Sequence, residues 1–285
     1  MREIWFSEYH SPNLKLDIRI KEELCTISSE FQTIDIFDSY EYGRILALDG
    51  CVILTERDQF IYHEMISHVP MVIHPNIKNV LLIGAGNGGT LTELLRHSSI
   101  ESIDLIELDK NILNAVKTYF PNTSKSFSSD KVNVHIMDAL QFVRHVHEQY
   151  DLIIVDATDP YGASEGLFTK EFYGNCYDAL RNDGILINQH ESVFSSQLYE
   201  NTDKPFAKTR DLFPINRLYQ VHIPTFPAGQ WFFGFVSKKY DPIANLDYSR
   251  VEEKMAGIST QYYSYDIHRA SFSLPEYAKK VFNLN

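Results

Sequence analysis

Cysteine is scarce in this chain of 285 residues: Cys25, Cys51 and Cys176 are the only three, at unrelated spacings. A sparse, odd set cannot build a disulfide framework and fits a reducing compartment. Long apolar runs are also missing. Nothing approaches a membrane span, and the opening MREIWFSEYHSPNLKLDIRI lacks the apolar stretch of a signal peptide. The expectation is a cytoplasmic protein with no membrane partner. Positive charge is in deficit, with 26 Lys and Arg against 38 Asp and Glu and a formal net charge of −12. Without a basic stripe to displace counterions, nucleic acid is not an expected partner. An acidic protein better suits a small cationic ligand. There is no internal repeat and no low-complexity linker. At 44% hydrophobic and 22% charged residues the composition is that of a folded chain. Its length suffices for one sizeable core, or a main domain with a smaller attachment.

The pattern of apolar residues divides the chain into two parts, 1–56 and 57–285. In the first, KLDIRIKEELCTISS, FQTIDIFDSY and GRILALDGCVILTE alternate apolar and polar positions between turn signals such as Asp49-Gly50, which predicts strands. So short a β-domain should pack on the rest of the chain or on a second subunit. From Asp58, a plausible helix cap, DQFIYHEMISHVPMVI has helical spacing. Short, continuously apolar strands then alternate with helices. The strands are Val80–Ile83, Ile103–Leu108, Val132–Met137, Leu152–Val155 and Ile185–Ile187. LTELLRH, NILNAVKTYF, ALQFVRHVHEQ and TKEFYGNCYDAL are the helices. RLYQVHIPTF and QWFFGFVSK, around Pro227-Ala228-Gly229, read as a hairpin at the sheet edge. The fold class is α/β, with a mostly parallel sheet buried on both faces.

Ligands of such sheets bind outside the carboxyl ends of the strands. The first strand runs into Gly84-Ala85-Gly86-Asn87-Gly88-Gly89, a loop whose glycines bring backbone N–H groups near a ligand. Alone, that loop is a weak signal. The second strand ends at Glu107, a carboxylate able to accept both hydroxyls of a ribose, and the third at Asp138-Ala139, where an Asp can accept from an adenine amino group. Together they predict an adenosine site, S-adenosyl rather than pyrophosphate-linked. The fourth strand, YDLIIVDATDP, ends in Asp156 and Asp159. Two carboxylates there suit an enzyme that anchors an ammonium and strips its proton, and their crowding raises one pKa.

Other polar residues weigh less. His63, Glu64 and His68 suggest a zinc motif, but a spacing of five puts the histidines about 140° apart on a helix, so no metal is expected. His145 and His147 read as solvated. His190 and Glu191 follow the fifth strand and are candidates for substrate contact.

These motifs resemble the spermidine synthase family, the polyamine aminopropyltransferases, over nearly the whole chain. LDGCVILTERDQFIYHEM, HPNIKNVLLIGAGNGGTLTELLRH, DATDPYGASEGLFTKEFY, IPTFPAGQW and YYSYDIHRASFSLPEYAKKVF carry the resemblance. It implies a methyltransferase-like Rossmann domain with a seven-stranded, mostly parallel sheet, a small N-terminal β-domain, and assembly into a dimer or tetramer. It further implies transfer of the aminopropyl group of decarboxylated S-adenosylmethionine, a co-substrate rather than a cofactor, to putrescine or a related diamine. Carried over by position, Asp156 is the general base and Asp159 an amine anchor. Gln32, Gly84, Gly86, Asn87, Glu107, Asp138 and Ala139 face the donor. Tyr62, His63, Asp159, Gln189, Glu191 and Phe226 face the acceptor.

Three departures from the family pattern stand out. Asn87 replaces an Asp that holds the donor's amine, Phe226 replaces a Tyr, and Ala163 replaces a Pro. Loss of the charge at position 87 weakens cation binding by about 1.5–3 kcal/mol in a dry site. A neutral Asn87 also leaves open a second reading on the same fold, transfer of methyl or aminocarboxypropyl from intact S-adenosylmethionine to an amine. A third reading is a non-catalytic binder of polyamines or nucleosides.

Overall fold

A computed structural model describes residues 3–157, 162–190, 192–194 and 204–284. Five antiparallel strands, β1 (Ile4–Ser11), β2 (Leu14–Ser28), β3 (Thr33–Ser39), β4 (Arg44–Leu48) and β5 (Cys51–Thr55), form an N-terminal sheet in sequence order. The β4–β5 turn has Asp49 and Gly50 both at positive φ, 49° and 81°, the geometry an Asp-Gly pair is suited to. β2 is long, with 15 residues, and much of it is exposed.

α1 (Gln59–Ile73) leads into the second sheet. It is built from β6 (Asn79–Gly84), β7 (Ser102–Glu107), β8 (Val132–Ile136), β9 (Tyr150–Asp156) and β10 (Leu180–His190), with the crossover helices α2 (Gly89–Leu95), α3 (Lys110–Tyr119), α5 (Ala139–Val143) and α6 (Lys170–Ala179) between them; the short α4 (Pro121–Ser124) follows α3. After α7 (Lys204–Arg210), β11 (Ile215–His222) and β12 (Gln230–Ser237) close one edge as an antiparallel hairpin. Strand order is β11-β12-β10-β9-β6-β7-β8, parallel from β10 to β8. The order in which strands are added to the sheet switches sides between β6 and β9, where Gly84 pairs with Asp156, so the binding crevice opens beside these two strand ends.

One face of the sheet and α1 enclose a core that includes Met65, Val69, Leu82, Ile154 and Phe233. The other face packs on α5 and α6 through Val143, Phe172 and Cys176. The N-terminal sheet does not stand alone: Ile34, Ile36, Leu46 and Leu54 share a buried cluster with Ile112, Leu113, Val116 and Phe120 around α3. Burying that face on the larger domain supplies the core a 56-residue sheet lacks.

The expected strands and hairpin are present, with three local differences. Asp58 occupies the N-cap position of α1 but makes no capping hydrogen bond. Its carboxylate instead accepts from Thr55 Oγ1 at 2.5 Å and from Thr225 N and Oγ1 at 3.2 and 2.7 Å, tying the two sheets together. α5 stops at Val143 rather than running to Gln149. Its last turn tightens to i→i+3 bonds from His145 and Val146, and Glu148 has φ of 47°. His145 and His147 are exposed, as expected. β10 starts at Leu180, with a register shift before Ile185 that absorbs the polar Arg181-Asn182-Asp183-Gly184 stretch.

Candidate active site

A cavity of about 370 Å³ lies at the carboxyl ends of β6, β7 and β9 and is walled on its far side by the N-terminal sheet. Among the expected residues, Gln32, Tyr62, Gly84, Gly86, Asn87, Glu107, Asp138, Ala139, Asp156, Gln189 and Phe226 line it. His63 does not. Its ring is buried against Gly89 and hydrogen-bonded to Asn87, and burial depresses its pKa to about 4. Asp159 and Glu191 lie outside the described residues, as does the side chain of Ala163.

The glycine loop is shaped by two close approaches. Gly84 has φ of 78°, and a Cβ on it would sit 2.3 Å from the Asp156 carbonyl oxygen; Ala85 N donates to that same oxygen at 2.9 Å. Gly86 leaves room for Glu107, whose carboxylate a Cβ would meet at 2.6 Å. Gly84→Ala adds left-handed strain to a backbone clash and should cost about 3 kcal/mol or more in denaturant unfolding. Gly257, with φ of 80° and open space around it, is the control; Gly257→Ala should cost only about 1 kcal/mol.

Glu107 is nearly enclosed, and burial raises its pKa to about 7 despite backbone N–H donors from Asp109, Leu108 and Gly86. Asp109 N donates at 3.0 Å. The Asp109 carboxylate caps α3 through Asn111 N and also accepts from Ser29 Oγ and Gln32 Nε2, at 2.7 and 3.2 Å. Gln32 is thus held at the cavity by the N-cap residue of α3, a link that sequence spacing gives no hint of. Asp138 caps α5, accepting from Leu140 N at 2.8 Å. Asn87 Oδ1 accepts from Gly89 N at 2.8 Å.

Asp156 lines the cavity at the end of β9. Tyr62 Oη donates to one carboxylate oxygen at 2.7 Å and Thr90 Oγ1 to the other at 2.6 Å. Burial raises its pKa, and these two hydrogen bonds oppose the rise. Gln189 stands beside them. Its amide donates to Ala157 O and Trp231 Nε1 donates to its Oε1 at 3.2 Å, while Tyr62 Oη lies 3.4 Å from that oxygen. Phe226 packs on Tyr62 and edge-on against Trp231, with ring centroids 5.9 and 5.1 Å apart. Thr90, Asp109 and Trp231 were not among the expected site residues. The first strand of the N-terminal sheet adds Glu8, a buried carboxylate in the cavity wall that accepts from Val52 N at 3.2 Å.

His190 falls on the other side of the sheet from Gln189. It is enclosed by Phe206, Phe282 and Gly234, and its pKa is depressed to about 3 by burial. His68 points toward His97 rather than sharing a site with His63.

Two family models match this chain: the spermine/spermidine synthase domain over residues 59–247, and the spermidine synthase tetramerisation domain over residues 4–56. The chain belongs to the spermine/spermidine synthase family. It is 49% identical over 279 residues to the polyamine aminopropyltransferase of Lachnoclostridium phytofermentans, covering 98% of both chains. With that of Clostridium botulinum strain Alaska E43 it shares 51% over 282 residues, covering 99% of this chain and 98% of the relative. Among solved structures, a spermidine synthase in complex with the transition-state analogue AdoDATO superposes with a TM-score of 0.95 at 38% identity, covering 100% of this chain and 97% of the other. The spermidine synthase of Thermotoga maritima gives 0.94 at 37%, covering 100% and 96%. The family, the two-sheet α/β fold and membership of an enzyme family of transferases, all read from sequence motifs, therefore hold. The N-terminal sheet is of the family's tetramerisation type, which supports self-association. No helix among the described residues is long and apolar enough to cross a membrane.

Proposed function

We propose that this enzyme is a spermidine synthase, transferring the aminopropyl group of decarboxylated S-adenosylmethionine to putrescine to give spermidine and methylthioadenosine. The observation that carries the reading is Asp156: a carboxylate of raised pKa, held by two hydroxyls, in a cavity lined both by the glycine loop with Glu107 and by the aromatic side chains Tyr62, Phe226 and Trp231. Glu107 accepts the ribose hydroxyls, Asp138 and Ala139 meet the adenine edge, and the glycine loop with Gln32 and Asn87 surrounds the aminopropyl arm. Tyr62, Phe226, Trp231 and Gln189 wall the acceptor side, with Asp159 and Glu191 as further amine anchors. Glu8 adds a carboxylate to the wall for a cationic ligand.

The sulfonium is already a good leaving group, so the chain has two tasks: aligning two cations and removing one proton. Asp156 takes a proton from the acceptor's ammonium. The amine lone pair then attacks the carbon beside the sulfonium; the C–N bond forms as the C–S bond breaks, and its electron pair leaves on methylthioadenosine sulfur. The product leaves as a secondary ammonium, and the proton held by Asp156 passes to solvent, restoring the carboxylate. Direct displacement requires inversion at that carbon. A donor made chiral there with deuterium should give spermidine of inverted configuration, accompanied by an equal amount of methylthioadenosine. Retention would require a covalent enzyme intermediate and overturn the mechanism.

A further inference from the structure

Two helices converge on Asp156, and a buried contact between His68 and Glu93, away from the cavity, joins them. α1 carries Tyr62 and α2 carries Thr90, the two hydroxyls that donate to Asp156. Near the cavity the helices touch where Gly89 meets His63; a Cβ on Gly89 would lie 2.0 Å from that ring. Ser67 Oγ, next along α1, reaches Thr90 O at 3.4 Å. At the far end of the contact, His68 Nε2 lies 3.1 Å from the Glu93 carboxylate, and its Nδ1 lies 2.9 Å from Nε2 of His97, just past α2. His68 is fully buried, and neither it nor Glu93 lines the cavity.

The surroundings of this pair are polar and aromatic. Arg96 approaches Glu93 at 2.5 Å, and Tyr263 packs edge-on against His68 with centroids 5.5 Å apart. Lys254 adds positive charge near His97, whose pKa burial and the neighbouring His68 depress to about 3. Glu93 is held below the usual carboxylate range: burial works against this, and His68 and Arg96 outweigh it.

A largely buried polar contact is weak evidence for stability, because desolvation offsets its attraction. Its geometric effect is specific. It fixes how α1 and α2 sit against each other, and a shift of about 1 Å between them breaks hydrogen bonds as short as those from Tyr62 and Thr90. We propose that His68, through its contacts with Glu93 and His97, is a positioning residue for the transfer reaction, holding α1 and α2 in the register at which both hydroxyls donate to Asp156. The inference rests on the reading of Asp156 as the base. Among the described residues, Tyr62 is the titratable side chain bonded to Asp156, and Thr90 its other side-chain donor. Loosening either bond raises the carboxyl's pKa further and aims it less well.

His68→Gln, Glu93→Gln and the double variant test this through the pH profile of kcat/KM, the donor dissociation constant and the thermal midpoint. Each single variant should lower kcat about tenfold and move the acidic limb up by about half a pH unit or more, with donor affinity within about twofold of wild type. The double variant should lose no more than either single, because one linkage has been cut. A lower thermal midpoint with unchanged kcat and acidic limb would overturn the proposal. If His68→Gln fails to fold, Glu93→Gln decides alone, since it keeps the side chain's shape and removes the charge. Should Asp156→Asn remain active, the base reading falls and takes this one with it. If Asp156→Asn is inactive while these variants keep the wild-type profile, the positioning role alone is wrong.

Discussion

Asp156→Asn should reduce kcat by about 10³-fold while leaving donor affinity near wild type, the loss expected when a general base is removed without disturbing the binding surface. The amide retains an oxygen for the Tyr62 hydroxyl and presents an N–H₂ to Thr90 Oγ1, which can accept, so the local hydrogen bonds survive. The pH profile should change in a defined direction. In the wild type, kcat/KM rises with pH as Asp156 ionises, and burial places that limb above the ordinary carboxylate range. In the variant that limb disappears. Its residual rate keeps climbing towards the pKa of the amine itself, near 10, because only substrate already deprotonated in solution reacts. A variant with near-normal rate at neutral pH would show that Asp156 does not take the proton.

The second large effect concerns Glu107. Its pKa of about 7 in the unliganded site means that near neutral pH a substantial fraction is protonated. Ribose hydroxyls donate to the ionised form, so binding the donor expels this proton. Donor affinity should therefore weaken as pH falls below about 7, approaching tenfold per unit, and binding at pH 6.5 should release most of one proton. Titration calorimetry in buffers of different ionisation enthalpy measures that release. Glu107→Gln should abolish both the release and the pH dependence, and weaken donor binding by roughly 10- to 100-fold at pH 8. Proton release that persists in the variant would assign it to another group. The same raised pKa bears on folding: the group stabilises the folded chain fully below its ordinary 4.5 and loses that contribution as pH rises through about 7. The contribution is on the order of 3 kcal/mol, and bound donor offsets its loss.

How far these residues could be read in advance depended on whether their position follows from the chain's own periodicity. Gly84, Glu107, Asp138 and Asp156 are strand-end residues, and a parallel sheet brings its strand ends to one rim whatever the loops do. Their partners are different. Tyr62, Thr90 and Trp231 reach the site from two helices and from β12, 94, 66 and 42 residues from the groups they bond. No spacing rule predicts contacts of that kind. Asp58 looked like a cap because its residue type and place suit one, yet Thr55 and Thr225 offer it better-placed donors. His190 could have been excluded beforehand. On β10 neighbouring side chains take opposite faces, so a cavity-facing Gln189 puts His190 on the other side. His63 was misleading for the analogous reason on a helix, where the residue beside Tyr62 turns about 100° away. Glu8 is not legible in the sequence because its strand belongs to the other sheet; only the packing of that sheet on α3 makes it a cavity wall.

The group this enzyme is expected to transfer is aminopropyl. Asn87 is where this chain presents an amide in its glycine loop, a side chain that neither binds an ammonium as strongly as a carboxylate nor repels a donor that has kept its own carboxylate. The most direct measurement is mass-spectrometric product analysis with putrescine, run in parallel with decarboxylated and intact S-adenosylmethionine. Spermidine from the decarboxylated donor, with no transfer product from the intact one, is the predicted result. A methylated or aminocarboxypropylated amine from the intact donor alone would contradict it.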